Sequence, residues 1–330
     1  MITKIFEEID ALLAKINFED IWPGFKPYDY VLFCNDAAFL RGEEIKWEDY
    51  KANTAVSYNG KLVATWVLAN PHDYDADLLA SCLVHEMFHA FQKEQGDTRF
   101  SNEFILFAYP RDLDNCQLKM AENFYLIKAL TDKSIIDLDQ FATLRRARRR
   151  IIGDSFFEQE LRAETLEGMA EYAGVMALLQ LNREKAIIQI DKHTNYLRNP
   201  QNLFDIRRMC YFTGCILCLV LKSLNINFKH DLKETRTVFE LIILEQNNVE
   251  KLFEQNSEEV NKKFSDFRKA HNNKTEIAAE IRGFDPMNTV RLKDEILCRD
   301  FVFLNNEFIK GPVLLEMEKD SPNCVLAYIR

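Results

Sequence analysis

Three observations on the sequence predict an α+β fold. Near the N-terminus, Asn59-Gly60 separates two runs of β-prone residues, a strong hairpin signal. From residue 76 to about 283, apolar residues recur at helical spacing. From residue 289 onward, short alternating runs return with turn residues between them. The expected organisation is a small N-terminal β-sheet lobe (residues 1–111), a large, mostly helical lobe (112–283) and a C-terminal antiparallel β subdomain (284–330).

Residues 1–16 read MITKIFEEIDALLAKI. Acidic residues interrupt the apolar positions at helical spacing, which gives an amphipathic helix and not a signal peptide. Residues 28–34 (YDYVLFC) and the two arms of 54–68 read as strands, and Asn70-Pro71 breaks the pattern. Residues 76–95 form the next helix, with Gly96 placed to end it. Helices follow at 112–131, 138–152, 154–182, 183–198, 202–224, 232–246 and 250–282. Strands are predicted at 289–292, 297–304, 308–317 and 324–329, with Asn305-Asn306 at one turn.

Hydrophobic residues make up 47% and charged residues 28% of the chain, a balance that supports an ordinary globular core. The net charge of -10 disfavours nucleic acid and anionic membranes as partners. Cysteine spacing shows no disulfide framework. Cys215 and Cys218 form a C-x-x-C inside an apolar run, without the second pair a zinc knuckle needs, and read as buried thiols. No apolar run is long and uncharged enough to span a bilayer. The expected setting is the cytoplasm, with reduced thiols.

Chemistry concentrates at residues 82–91, CLVHEMFHAF. On a helix, His85 and His89 lie one turn apart on one face, so both imidazoles can reach one tetrahedral metal. Glu86 is offset by one position and can approach a metal-bound water as its general base. A zinc ion would bring that water to a pKa of about 7. The flanking positions are uncharged, as a helix buried beside a metal requires.

A third ligand must come from elsewhere, since no H-E-x-x-H-x-x-G-x-x-H extension is present. Residues 154–182 offer Glu160, Glu164, Glu167 and Glu171, one stripe on a helix whose other positions are largely apolar. A buried run of carboxylates is costly without a cation. Gly168 costs helix propensity, about 1 kcal/mol against Ala, which the close approach of another helix would justify.

Glu167–Tyr172 reads EGMAEY and resembles the N-E-G-F-A-x-Y segment of gluzincin metallopeptidases, the aminopeptidase N and leukotriene A4 hydrolase group. That resemblance implies a gluzincin-like zincin fold with one Zn2+ in the cleft between the two lobes. It makes Glu167 the third zinc ligand, with Glu164 as the alternative ligand or a substrate contact. It makes Glu171 the residue that orients His85. Tyr211-Phe212-Thr213-Gly214 is similar to the group's Y-E-K-G segment, whose Tyr donates to the oxyanion; this implies that role for Tyr211. Two predicted helices separate His89 from Glu167, a longer insertion than the group has. The G-x-M-E-N segment that binds a substrate N-terminus is missing, since residues 64–70 read ATWVLAN. Endopeptidase or oligopeptidase action on a peptide or small protein is therefore expected. In gluzincins an edge strand before the motif pairs with extended substrate; by position that strand is 62–68.

The same motif would also serve a zinc hydrolase of non-peptide amides or esters, or a zinc-binding protein without turnover. Glu86 argues against the last, because a structural site needs no base. Among weaker signals, Arg145–Arg150 (RRARRR) reads as a solvated helix end. Asp73, Asp75 and Asp77 read as N-terminal caps of the motif helix, and His193 as an exposed residue on a polar helix.

Overall fold

The computed structural model describes residues 1–242, 248–270, 275–318 and 321–329, and the chain is of the α+β class. It divides into two compact units, Met1–Leu244 and Glu245–Arg330. The division falls at neither of the expected boundaries, 111 and 283, because the motif helix and the later helices share one core.

The first unit begins with α1 (Ile2–Leu13) and α2 (Phe18–Ile21). The strands β1 (Tyr30–Cys34), β2 (Ala37–Leu40), β3 (Glu43–Ile45), β4 (Thr54–Tyr58) and β5 (Lys61–Val67) follow. They form a sheet of order β3-β2-β1-β5-β4, with β1 parallel to β5 and the other pairs antiparallel. Asn59 and Gly60 both take positive φ, 50° and 76°, the backbone of the expected tight hairpin. The strand at 62–68 is not an edge: β5 lies between β1 and β4, and β4 is the outer strand. The hairpin folds back on the side away from β1, which moves the edge one strand upstream.

Then come α3 (Ala76–Gln95), α4 (Glu103–Phe107), α5 (Leu113–Asp132), α6 (Ile135–Ile152) and α7 (Asp154–Leu181). They are followed by α8 (Arg183–Arg198), α9 (Ile206–Ser223) and α10 (Val238–Leu241). The Asp75 side chain accepts from Leu78 N–H at 3.1 Å to cap α3, and Gly96 ends it in the left-handed conformation, φ 76°. Asp75 and Asp77 also pair with Lys185. Leu83, Val84, Met87 and Phe88 of α3 are fully buried. Burial of one such side chain contributes about 1.5–3 kcal/mol. The helix predicted at 232–246 shrinks to α10, opened by a Thr237–Glu240 capping box; residues 243–247 lie outside the described residues.

In the second unit, α11 (Asn248–Ala270) ends well before residue 282. Residues 275–284 form β6 (Thr275–Phe284) instead, because Ala279 and Ile281 alternate with Glu280 and Arg282 at strand period. The sheet continues with β7 (Thr289–Leu292), β8 (Glu295–Cys298), β9 (Phe301–Leu304), β10 (Glu307–Lys310), β11 (Val313–Glu318) and β12 (Ser321–Ile329), in the order β10-β9-β6-β12-β11-β8-β7. Its pairs are antiparallel. Asn305 and Asn306 take positive φ at the β9–β10 turn, as predicted.

Candidate metal centre

Helices α3, α7 and α9 assemble the site, and glycine sets how closely they approach. A Cβ on Gly168 of α7 would stand 2.3 Å from Gly214 Cα of α9. A Cβ on Gly174 would stand 2.9 Å from the Ser81 carbonyl oxygen of α3. Both contacts are backbone against backbone, so neither position accepts a side chain without moving a helix. This is the close approach expected at Gly168.

Three ligand-type atoms converge between α3 and α7. His85 Nε2 lies 3.2 Å from His89 Nε2. Glu167 Oε2 lies 3.1 Å from His89 Nε2 and 3.8 Å from His85 Nε2. All three residues are largely buried. The other ring nitrogens are engaged: His85 Nδ1 meets Glu171 Oε2 at 2.9 Å, and His89 Nδ1 meets Gln92 Oε1 at 2.8 Å. Both partners are acceptors, so each Nδ1 carries the hydrogen and each Nε2 presents a lone pair. Gln92 is itself fixed by donating to the Leu166 carbonyl at 3.1 Å. With both rings neutral, two lone pairs and a carboxylate oxygen thus face one another with no donor among them, so the cluster takes up positive charge, either a proton or a cation. The residues fit a cation, and ligand distances of about 2.0–2.2 Å at a tetrahedral zinc imply ligand–ligand edges of about 3.3–3.6 Å.

Charge points the same way. Burial opposes a charged His85, but hydrogen bonds to Glu167 and Glu171 outweigh it and push its pKa well above the ordinary value. Burial would raise Glu167 and Glu171, yet their histidine partners hold both well below the usual carboxylate range. Negative surroundings that favour a proton on His85 favour a metal cation equally. Glu86 is raised, mainly by burial. Burial and the Glu167 charge also raise Tyr211, so its phenol keeps the hydrogen it would donate. The Tyr211 ring lies nearly parallel to His85, 5.9 Å between centroids.

Three arrangements correct the sequence reading. Glu164 is not beside the other candidate ligands: Arg145 grips both its oxygens at 2.6 and 2.7 Å. Arg145 and Arg148 of the basic run are fully buried, not solvated. Arg148 donates to Glu122 at 2.9 Å and to Glu160 at 2.7 Å, and Lys119 donates to the same two carboxylates. His193 is also buried, 1% exposed, with Nε2 3.0 Å from Glu171 Oε1.

Arg207 and Gln92 escaped the sequence reading. Arg207 donates to Glu167 Oε1 at 2.7 Å and to Glu103 at 3.0 Å, and covers the Tyr211 ring. Its place one helical turn before Tyr211, and that of Gln92 three after His89, are the only traces these roles leave in the sequence. A cleft of about 620 Å³ opens beside His85, His89 and Glu167 and includes Asn53, Thr54, Trp66, Glu86, Phe100 and Tyr211 in its walls. Among the described residues, seven cysteines, Cys215 and Cys218 included, are free thiols. Among the described residues, no helix is long and apolar enough to cross a membrane. No family model, curated protein or solved structure matches the chain.

Proposed function

We propose that the chain is a zinc-dependent metallopeptidase of the gluzincin type that hydrolyses peptide bonds. The observation that carries this reading is the convergence of His85 Nε2, His89 Nε2 and Glu167 Oε2, with Glu86 in the same cleft wall. A Zn2+ held by these residues supplies Lewis-acid polarisation of a carbonyl and acidifies water to a pKa of about 7. Glu86 accepts the proton of the attacking water and passes it to the leaving amine. Its raised pKa suits both halves of that transfer. Tyr211 donates its hydroxyl hydrogen to the oxygen on which negative charge develops. Arg207 holds Glu167 by Oε1 and so leaves Oε2 for the metal.

Substrate enters as an extended chain along β4, whose Thr54 reaches the cleft. Glu160 and Glu164, two carboxylates that could have held a free α-amine, are both saturated by arginine. That favours an endopeptidase or oligopeptidase.

The test is metal analysis of the purified chain, followed by the Glu86→Gln variant. One zinc per chain is expected in both. Turnover of a peptide library should fall by about 10²–10⁴ in the variant. A chain with no bound zinc, or a variant that loses metal and activity together, would refute the assignment.

A further inference from the structure

A histidine with no part in the reaction is buried behind the metal ligands. His193 of α8 is 1% exposed. Its Nε2 lies 3.0 Å from Glu171 Oε1, while the other oxygen, Oε2, lies 2.9 Å from His85 Nδ1. The Gln189 amide nitrogen also approaches His193 Nε2, at 3.2 Å. The imidazole stacks on Phe212, with centroids 4.6 Å apart and ring planes 25° apart.

Only a hydrogen donor is useful to a carboxylate oxygen, so Nε2 carries the hydrogen and Nδ1 is a bare lone pair; a half-turn of the Gln189 amide then presents its oxygen to Nε2 in place of its nitrogen. In keeping with that, Nδ1 has no hydrogen-bond partner among the described residues. An unpaired lone pair is a smaller burial cost than an unpaired N–H in the same place. The burial of this histidine is therefore explained by its bond to Glu171.

A carboxylate bonded through one oxygen can still turn about its side-chain torsions. Bonded through both, to imidazoles on two different helices, Glu171 is fixed. Its hold on His85 Nδ1 then sets both the tautomer and the ring direction of that ligand.

We propose that His193 is a positioning residue for the metal centre: it locks Glu171 against His85 and thereby raises the affinity of the site for zinc. The inference rests on the metallopeptidase reading, but on its metal ligands alone and not on its substrate. The chain His193–Glu171–His85 ties α8, α7 and α3 to one imidazole lone pair.

The experiment measures zinc affinity by competition with a chromophoric chelator in the intact chain, in wild type, His193→Phe and His193→Gln. Phe keeps an aromatic ring for the stack and removes the donor; Gln restores a donor. Outer-shell partners of metal ligands are worth about 10–100-fold in affinity. His193→Phe should bind zinc about 10-fold more weakly, and His193→Gln should recover most of the loss. In a Glu171→Ala background, His193→Phe should have no further effect. The Co2+-substituted His193→Phe protein should show an altered d–d spectrum, which a purely structural role would leave alone.

Wild-type affinity with an unchanged spectrum in His193→Phe overturns this inference and leaves the metal centre standing. The same loss persisting without Glu171 also overturns it, because His193 would then act by another route. If wild type binds no zinc, this inference and the metallopeptidase reading fall together. Thermal unfolding of the metal-free variants separates a folding defect from weakened binding. Should His193→Phe not fold, the His193→Gln and Glu171→Ala affinities and their double mutant decide the question.

Discussion

Helix α7 carries four glutamates on one stripe, and its two halves neutralise them differently. In the first half, Glu160 and Glu164 face Arg148, Lys119 and Arg145. A guanidinium is always charged and presents a fork of donors, so each carboxylate is saturated and nothing remains to bind a ligand. In the second half, Glu167 and Glu171 face His85, His89 and His193, and the one guanidinium there, of Arg207, takes a single oxygen, Glu167 Oε1. An imidazole whose Nδ1 is committed to an acceptor leaves Nε2 open, so Glu167 Oε2 and the two Nε2 atoms can take up a proton or a cation between them. Residue type and helix are shared; the partner's chemistry makes one half a buried strut and the other a candidate cation site.

The sharpest way to break the comparison is Arg148→Met. It strips Glu122 and Glu160 of their shared guanidinium while both stay buried. Removing one partner of a buried ion pair costs about 3–5 kcal/mol. Urea unfolding should show that loss, while zinc content of the folded fraction stays at one per chain. A change under about 1 kcal/mol would mean that the network is not a strut.

Acid should separate the halves in order. Burial alone would raise Glu122, but Arg148, Lys119 and Arg145 outweigh it and hold its pKa at about 2. Glu160 is likewise held well below the ordinary value. A depressed carboxylate contributes stability above its unfolded pKa of about 4.3 and loses it as pH falls through the folded value. Glu122 thus contributes on the order of 3 kcal/mol that disappears between about pH 4.3 and 2. The imidazole ligands must shed protons to bind metal, so zinc should leave at a higher pH than that. Zinc release and circular dichroism followed in one acid titration should give two separate steps. A single coincident step would contradict the division.

A smaller effect is expected at Gln92, which fixes His89 as Glu171 fixes His85. Gln92→Ala should weaken zinc about 10-fold, measured by chelator competition, with the Arg145–Glu164 pair untouched. The smallest effect concerns substrate. With Glu160 and Glu164 saturated, acetylating a peptide's N-terminus should change kcat/KM by less than about tenfold, about 1.4 kcal/mol. If only the free peptide is cut, and only at its first bond, the arginines do not occupy those carboxylates in solution.

The two halves also differ in how far they could be read beforehand. His85, His89 and Glu86 sit on adjacent turns, so local spacing alone places them together. The caps at Asp75 and Gly96 were legible for the same reason. Glu167 could be placed because EGMAEY is a local pattern. The basic run misled because a charge run reveals nothing of direction: Arg145 and Arg148 are three apart and turn inward, while Arg149 and Arg150 stay exposed. Their burial depends on Glu122 of α5 and Glu160 and Glu164 of α7, partners that no local window contains. His193 was misread for the same reason. The predicted helix 250–282 overruns into β6 because both periods can be drawn through TEIAAEIR, and pairing with β12 decides between them. At 232–246 apolar spacing outran the true helix, which the capping box at Thr237 starts only at Val238.

The crossing of Gly168 on Gly214 has a consequence for how such a protein can change over time. Glu167 and Tyr211 are anchored within one turn of a point where two main chains touch, so a substitution there displaces the proposed ligand and the proposed oxyanion donor together. Trp66 and Phe100 line the cleft from outside that crossing. The walls of the cleft can therefore vary one residue at a time, while the crossing that holds the proposed chemistry is inherited unaltered.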